Sequence, residues 1–359
     1  MPSPATAQPH SDPRHVSLVV IPEVMVSPLS GMYDVLTCFE FLGSLDEAVP
    51  SSAPFRVEFV STRGGRVETA SGLPVEVHRS LGEVTSTEIV IVPSLLVEHG
   101  DWVPGRHAEM VRWLLEMNRR GALLCSACSG VLLLAETGLL DGEDATIHWA
   151  YAPTFRKNFP AVRLSLEKVL VASGERAQFV MAGASASWHD LVLYLVARFV
   201  GPTAAQAISK FMLLQWHQDG QTPYIAFRPS LDHGDAMVLA TQEWLAGHFS
   251  VAKPVEEAVK RSGLPERSFN RRFTQATGYS PMAYIQNLRV HEAKRRLERT
   301  EEAIDEISWN VGYEDPAFFR RLFKRLTGIT PGAYRRKFKV PLVTTNTLPS
   351  GQTGALSRS

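Results

Sequence analysis

Phe269-Asn270-Arg271-Arg272-Phe273-Thr274-Gln275-Ala276-Thr277-Gly278-Tyr279-Ser280-Pro281-Met282-Ala283-Tyr284 returns fifty residues later as Phe319-Arg320-Arg321-Leu322-Phe323-Lys324-Arg325-Leu326-Thr327-Gly328-Ile329-Thr330-Pro331-Gly332-Ala333-Tyr334. Phe269, Arg271, Phe273, Thr277, Gly278, Pro281, Ala283 and Tyr284 keep their identity in that one register. Two copies of one small helical unit are the simplest cause.

In the first copy, Val255–Arg261 reads as a short helix, broken at Gly263-Leu264-Pro265 and followed by a helix from Glu266 to Thr277. Phe269 and Phe273 share its inner face, while Arg267, Asn270, Arg271 and Thr274 recur at i, i+3, i+4 and i+7 on the outer one. In the second copy, Ala303–Val311 and Gly312-Tyr313-Glu314 precede a helix started by Asp315 and Pro316. There Phe319 and Phe323 face inward, and Ala317, Arg320, Arg321 and Lys324 face outward. Helix, glycine-containing turn and second helix form a helix-turn-helix, whose second helix reads a DNA major groove. Ser280 and Pro281 start a connecting helix through Arg299, with Leu288 and Leu297 among its apolar positions. At 1.5 Å per residue it spans roughly 28 Å. That is near the ~34 Å of one DNA turn, so both reading helices could enter successive grooves on one face. A charged stripe is usually just a solvated face; its recurrence at the presenting position of both copies favours contact with DNA.

The stretch from about Trp244 to Phe338 resembles the AraC/XylS family of bacterial transcription regulators. The signatures are Arg271-Arg272-Phe273, Thr277-Gly278-Tyr279-Ser280-Pro281, Val311-Gly312-Tyr313, Phe319-Arg320-Arg321-Leu322-Phe323-Lys324, Thr327-Gly328-Ile329-Thr330-Pro331 and Tyr334-Arg335. By motif position the resemblance places base reading on Arg267, Asn270 and Arg271, and on Ala317, Arg320 and Arg321. Ala317 offers only an apolar contact, such as to a thymine methyl, so the second helix reads fewer base edges.

Overall charge is zero but divided. Residues 1–230 hold 17 Lys/Arg against 23 Asp/Glu, and residues 231–340 hold 19 against 14. A basic end on an acidic body fits a nucleic-acid-facing module attached to a domain with other work. Three cysteines, Cys38, Cys125 and Cys128, do not make a secreted disulfide framework. With no signal peptide or membrane-length apolar run, the expected location is cytoplasmic.

Upstream, short β-branched runs alternate with longer amphipathic ones. His15–Ile21, Phe55–Ser61, Glu88–Val92 and Ala122–Cys125 read as strands, and Ser30–Leu45, Arg106–Arg120, Ser129–Glu136 and Ser187–Phe199 as helices. Hairpins are expected around Gly72 and around Gly174-Glu175. This pattern predicts a doubly wound, flavodoxin-like α/β sheet with ligand sites at the strand C-termini.

At Leu123-Leu124-Cys125-Ser126-Ala127-Cys128-Ser129-Gly130-Val131 a buried strand passes directly into a helix. Cys128 on that corner would be exposed above the sheet, where a helix N-terminus stabilises a thiolate. With Gly138-Leu139-Leu140-Asp141-Gly142, Ala145-Thr146, His148-Trp149, Gly183-Ala184-Ser185, Asp190-Leu191 and Gly220-Gln221-Thr222-Pro223, the segment resembles the PfpI-type, glutamine-amidotransferase-like domain of GlxA-type regulators. Three departures argue against catalysis. Ser129 stands where PfpI-like members carry His, Pro93-Ser94-Leu95 where amidotransferases place oxyanion-hole glycines, and Ser27 where a carboxylate faces the cysteine, with Glu23 four residues early. His148 and His189 are conceivable bases, yet no spacing puts either within reach of Cys128.

The expected organisation is an α/β sensor and dimerisation domain over 15–228, a linker over 229–240, an all-α DNA-binding domain with two helix-turn-helix units over 241–340, and disordered tails at 1–14 and 341–359. Cys128, Ser129, Glu23, Ser94, His148 and Trp149 are the candidate ligand-binding residues. Trp149 suits a quaternary amine by cation–π contact, although a Trp in an apolar stretch is more often core. Trp244 and Trp309 are read as core. The expected partners are double-stranded promoter or operator DNA, a small effector of the amino-acid or quaternary-amine kind, a second copy of the chain, and RNA polymerase as a candidate, with activation as the working mode. No cofactor and no metal are expected, since no Cys/His set has zinc-ligand spacing. The alternatives are a thiol-dependent amidase- or hydratase-like enzyme fused to a DNA-binding domain, and an architectural DNA binder that needs no ligand.

Overall fold

The computed structural model describes residues 12–340. The chain divides into two compact units, the first ending at Ile225 and the second beginning at Ala226.

The strands of the first unit are β1 (Arg14–Val19), β2 (Phe55–Ser61), β3 (Gly65–Glu68), β4 (Pro74–Val77), β5 (Arg79–Ser80), β6 (Ile89–Val92), β7 (Leu123–Ala127), β8 (Asp144–Ala145), β9 (Arg163–Leu164), β10 (Leu170–Ser173) and β11 (Phe179–Ala182). Its helices are α1 (Val26–Thr37), α2 (Phe39–Gly43), α3 (Ala108–Arg119), α4 (Val131–Ala135), α5 (Ala152–Asn158), α6 (Trp188–Phe199) and α7 (Pro202–Phe211). Seven strands form the main sheet in the order β10-β11-β7-β6-β1-β2-β5, and only the β10–β11 pairing is antiparallel. Its parallel centre has the doubly wound order of a flavodoxin-like sheet, in which ligands sit beyond the strand C-termini. β6 (Ile-Val-Ile-Val) is buried throughout, as a strand covered by helices on both faces must be. The two hairpins form around Gly72 and Gly174, both at positive φ.

Several boundaries differ from the sequence reading. The expected helix over Ser30–Leu45 starts earlier and is two helices, interrupted at Cys38. Arg14, assigned to a disordered tail, opens β1 opposite Phe55. The expected loose ends at 1–11 and 341–359 lie outside the described residues. The linker placed at 229–240 is helical from Ala236, because Asp235 accepts the Val238 N–H at 3.1 Å and caps the next helix. That helix opens the second unit ahead of the domain start expected at 241.

The second unit comprises α8 (Ala236–His248), α9 (Pro254–Ser262), α10 (Glu266–Thr277), α11 (Pro281–Arg299), α12 (Ile304–Asn310), α13 (Pro316–Thr327) and α14 (Pro331–Phe338). Its two copies use the same devices. Gly278 and Gly328 end α10 and α13 in the left-handed conformation, at φ 76° and 81°. Beside them, Thr277 Oγ1 and Thr327 Oγ1 each lie 2.8 Å from the carbonyl four residues back, that of Phe273 and Phe323. Ser280 and Thr330 cap the following helices, and the Tyr284 and Tyr334 rings stand edge-on to Phe273 and Phe323. Two cores result. Tyr284 and Ile285 of α11 pack with Phe269 and Phe273, whereas Val290, Ala293 and Leu297 pack with Phe319 and Phe323. The connecting helix is thus anchored in both cores.

Candidate functional site

In α10, Arg267, Arg271 and Thr274 are exposed on the face opposite Phe269 and Phe273, with Asn270 half-buried between them. The Asn270 Oδ1 is covered without a hydrogen-bond partner among the described residues, so its amide would have to turn outward to meet a base edge. Arg272, one position round, is held by Asp235 at 2.5 and 3.0 Å and fixes α10 to the start of α8. In α13, Ala317, Arg320, Arg321 and Lys324 are exposed, and the Ala317 N–H is spent on Asp315 Oδ1 at 2.8 Å. Both arginines already face carboxylates here. Arg320 pairs with Asp305 of α12, and Arg321 lies 4.0 Å from Asp315. To contact DNA, Arg320 would have to give up an ion pair, whereas Arg271 has no carboxylate partner among the described residues. An Asp305→Asn chain should bind its DNA site more tightly, by roughly two- to fivefold, because an exposed pair is worth under about 1 kcal/mol. Titration of a labelled operator reads that gain, and unchanged affinity would show that Arg320 does not leave Asp305.

Trp309 corrects the sequence reading. Expected in the core, it is 57% exposed on α12, because Ile307 and Val311 take the inner face. Phe318, also outward on α13, escaped notice because it adjoins the buried Phe319. Trp244 is half-buried, stacked on His248 at 4.6 Å and covered by Arg261.

In the first unit the corner after β7 is a single 3-10 turn, Cys128–Gly130, leading into α4. Cys128 sits at φ 54°, a strained backbone typical of such corners. Gly130 is required there, since a Cβ would lie 2.4 Å from Val92 O. The thiol is buried, not exposed, and burial pushes its pKa up, against the opposing hydrogen bond with Ser185. Desolvation outweighs whatever the short α4 offers a thiolate. Sγ lies 3.4 Å from Ser185 Oγ, and Ser94 Oγ is buried with no hydrogen bond. Burial raises the pKa of Tyr151, whose phenol is close enough to Cys128 to be coupled to it electrostatically. Ser185 entered the sequence reading only within the Gly183-Ala184-Ser185 motif and Tyr151 not at all, because no local spacing ties either to Cys128.

The other expected ligand residues are engaged elsewhere. Ser129 Oγ donates to Leu95 O at 2.5 Å and accepts the Leu95 N–H at 2.8 Å. That closes off the very amide an oxyanion would need after β6. Glu23 faces His107 at 3.3 Å and Arg106 at 2.9 Å; chiefly His107, and to a smaller extent Arg106, hold its carboxyl below the usual range. His148 Nδ1 accepts the Ala150 N–H, and its ring stacks on Trp149 at 5.2 Å. His189 Nε2 is spent on Gln215 O at 2.8 Å.

The fold also assembles His189, Asp190 and His217, which no sequence spacing revealed because 28 residues separate the ends of the set. Asp190 is buried and accepts the backbone N–H and Nδ1 of His217 at 2.9 and 2.6 Å. One ligand atom from each of the three lies within 4.8 Å of the others, but the two imidazoles stack within 25° of parallel, His189 Nε2 is engaged with Gln215 O and His217 Nδ1 with Asp190. The cluster clasps the chain after α7 onto α6.

Residues 258–337 match the helix-turn-helix domain family, and residues 32–175 match the DJ-1/PfpI family. The chain is 26% identical over 302 residues to the HTH-type transcriptional regulator CdhR of Pseudomonas aeruginosa, spanning 83% of this chain and 87% of that one. It is 27% identical over 281 residues to the HTH-type transcriptional regulator GlxA of Rhizobium meliloti, spanning 76% and 83%. A solved AraC family transcriptional regulator from Pseudomonas putida covers 56% of this chain at 19% identity and a TM-score of 0.46. Two helix-turn-helix units with outward arginines, joined to an α/β unit, define a DNA-binding transcription regulator. The chain thus joins a DJ-1/PfpI-type region to a helix-turn-helix region, as its similarity to the regulators CdhR and GlxA also indicates.

Proposed function

We propose that this regulator answers to a small molecule held above Cys128, and that Arg267, Asn270, Arg271, Thr274, Ala317, Arg320, Arg321 and Lys324 contact its DNA site. The observation that carries the DNA reading is the recurrence of one exposed stripe on two helices whose connector is buried in both cores. The ligand reading rests on Ser94 Oγ, buried and unbonded beside Cys128 at the C-terminal end of the parallel sheet. Catalysis is disfavoured by the buried, neutral thiol, the consumed Leu95 N–H and the commitment of Glu23 to Arg106 and His107. Among the described residues no helix is long and apolar enough to cross a membrane. A DNA partner supports a cytoplasmic location. Homodimerisation through the first unit is supported by exposed Phe41 and Phe211, which meet edge to face at 6.0 Å, with Leu213 two residues further on. Sedimentation of the full chain reads that state.

The test of the pocket is Cys128→Ala. It should leave operator affinity unchanged and abolish the response of transcription to the effector, found by thermal-shift screening of amino acids and quaternary amines. Iodoacetamide should alkylate Cys128 at least tenfold more slowly than a free thiol at neutral pH, because burial keeps it protonated. Fast alkylation together with turnover lost in Cys128→Ala would replace this reading with that of a thiol enzyme.

A further inference from the structure

A second cleft, of about 460 Å³, lies at the opposite end of the sheet from Cys128 and is lined by four arginines, Arg14, Arg120, Arg176 and Arg198. Leu123, which starts β7, is in its wall, whereas Cys128 follows the other end of that strand. Arg14 comes from the first position of β1, Arg120 from the end of α3, Arg176 from the β10–β11 hairpin and Arg198 from the last turn of α6. Phe199 carries two of them, with the guanidinium carbons of Arg14 and Arg198 at 4.7 and 5.5 Å from its ring centroid. Arg198 also donates to Ala177 O at 2.9 Å and so holds the hairpin that presents Arg176.

The charges are not balanced. Of the four, only Arg120 is ion-paired among the described residues, to Glu116 at 2.7 Å. The single carboxylate in the lining, Glu88, has its Oε2 occupied by the His15 N–H at 2.9 Å. Cations at helix C-termini are favoured in any protein, which accounts for Arg120 and Arg198. It does not account for Arg14 and Arg176, which a strand and a hairpin bring to the same cleft in an acidic part of the chain. Like charges gathered on one ring repel unless an anion joins them, and guanidinium forks match the paired oxygens of carboxylate and phosphate groups.

We propose that this cleft binds a small molecule with two or more oxyanion groups, of the polycarboxylate or polyphosphate kind, as a ligand site separate from that at Cys128. The experiment is calorimetric titration of the full chain with citrate and with pyrophosphate at constant ionic strength. Saturable binding of at least one is expected, and which one binds identifies the oxyanion. Arg14→Gln/Arg176→Gln should weaken it at least tenfold, leaving operator affinity unchanged. Arg176→Gln alone, at an exposed hairpin, should still cost several-fold, independently of any folding defect from the loss of Arg14 on Phe199. No saturable binding of either anion overturns the proposal. So does binding that is lost in Arg271→Gln but kept in Arg176→Gln, since the anion would then sit on the DNA-reading helices.

Discussion

Replacing Arg271 by alanine is expected to weaken binding to the cognate operator by about 1–3 kcal/mol and to relax preference at one base pair. Arg321→Ala is expected to do the same at a second position about one helical turn away. Both residues are exposed, and they hold equivalent places in the two copies. Arg321 lies 4.0 Å from Asp315, so its loss should fall toward the lower end of the range. The two side chains belong to different helices, each with its own core, and well-separated sites add. The double variant should therefore lose about 2–6 kcal/mol on the cognate site. Non-specific affinity should fall far less, because that term comes from phosphate neutralisation shared among many cations. Competition gel-shift titration against scrambled DNA separates the contributions. Equal losses on every sequence would make these arginines phosphate contacts. A double variant no weaker than the worse single one would mean that only one helix enters a groove at a time.

Much of this was legible beforehand because repetition and periodicity are local. The bounds expected for α10 and for α11 are those observed, since Gly278, Ser280 and Pro281 mark the helix ends by their own backbone and capping preferences. Trp309 was misread because helical spacing says which residues share a face, not which face the core takes. The Cys128 corner was legible as a place and not as chemistry. The strand-to-helix corner could be read from Leu123–Val131, but the thiol's protonation depends on how deeply the turn packs under β6, where Gly130 lies against Val92 O. Ser129 shows the same limit. Its neighbour in sequence is Cys128, yet its partner is the backbone of Leu95, 34 residues away. The arginine cleft was invisible for a stronger reason, since its four cations come from four elements that adjoin only once the sheet is formed.

Arg289→Met should destabilise the second unit by about 3–5 kcal/mol, the range for removing one partner from a buried charged network. Arg289 projects from the middle of α11 and is only 8% exposed. Its Nε donates to Phe249 O at 2.7 Å, Nη2 to Val251 O at 3.1 Å and Nη1 to Gly312 O at 2.8 Å. The first two carbonyls follow α8, in the half of the unit that carries α10; the third lies in the turn between α12 and α13. One guanidinium thus ties both reading modules to their connector, stacked on Tyr313 at 4.8 Å. Gly312 is fitted to it, at φ 93°, where a Cβ would come within 2.8 Å of Nη2. This gives the Val311-Gly312-Tyr313 signature a physical role. Methionine fills part of the volume and leaves three carbonyls without their donor. The melting temperature of the unit should fall by roughly 10 °C or more, given about 4–8 °C per kcal/mol for a domain of this size. Below that temperature specific DNA affinity should still be reduced, because the angle between α10 and α13 is no longer held. The footprint should then contract from two adjacent major grooves towards one. Arg289→Lys, a point charge without a fork, should fall between the two. An unchanged melting temperature with a full two-groove footprint would show that the paired cores alone set the spacing of the reading helices.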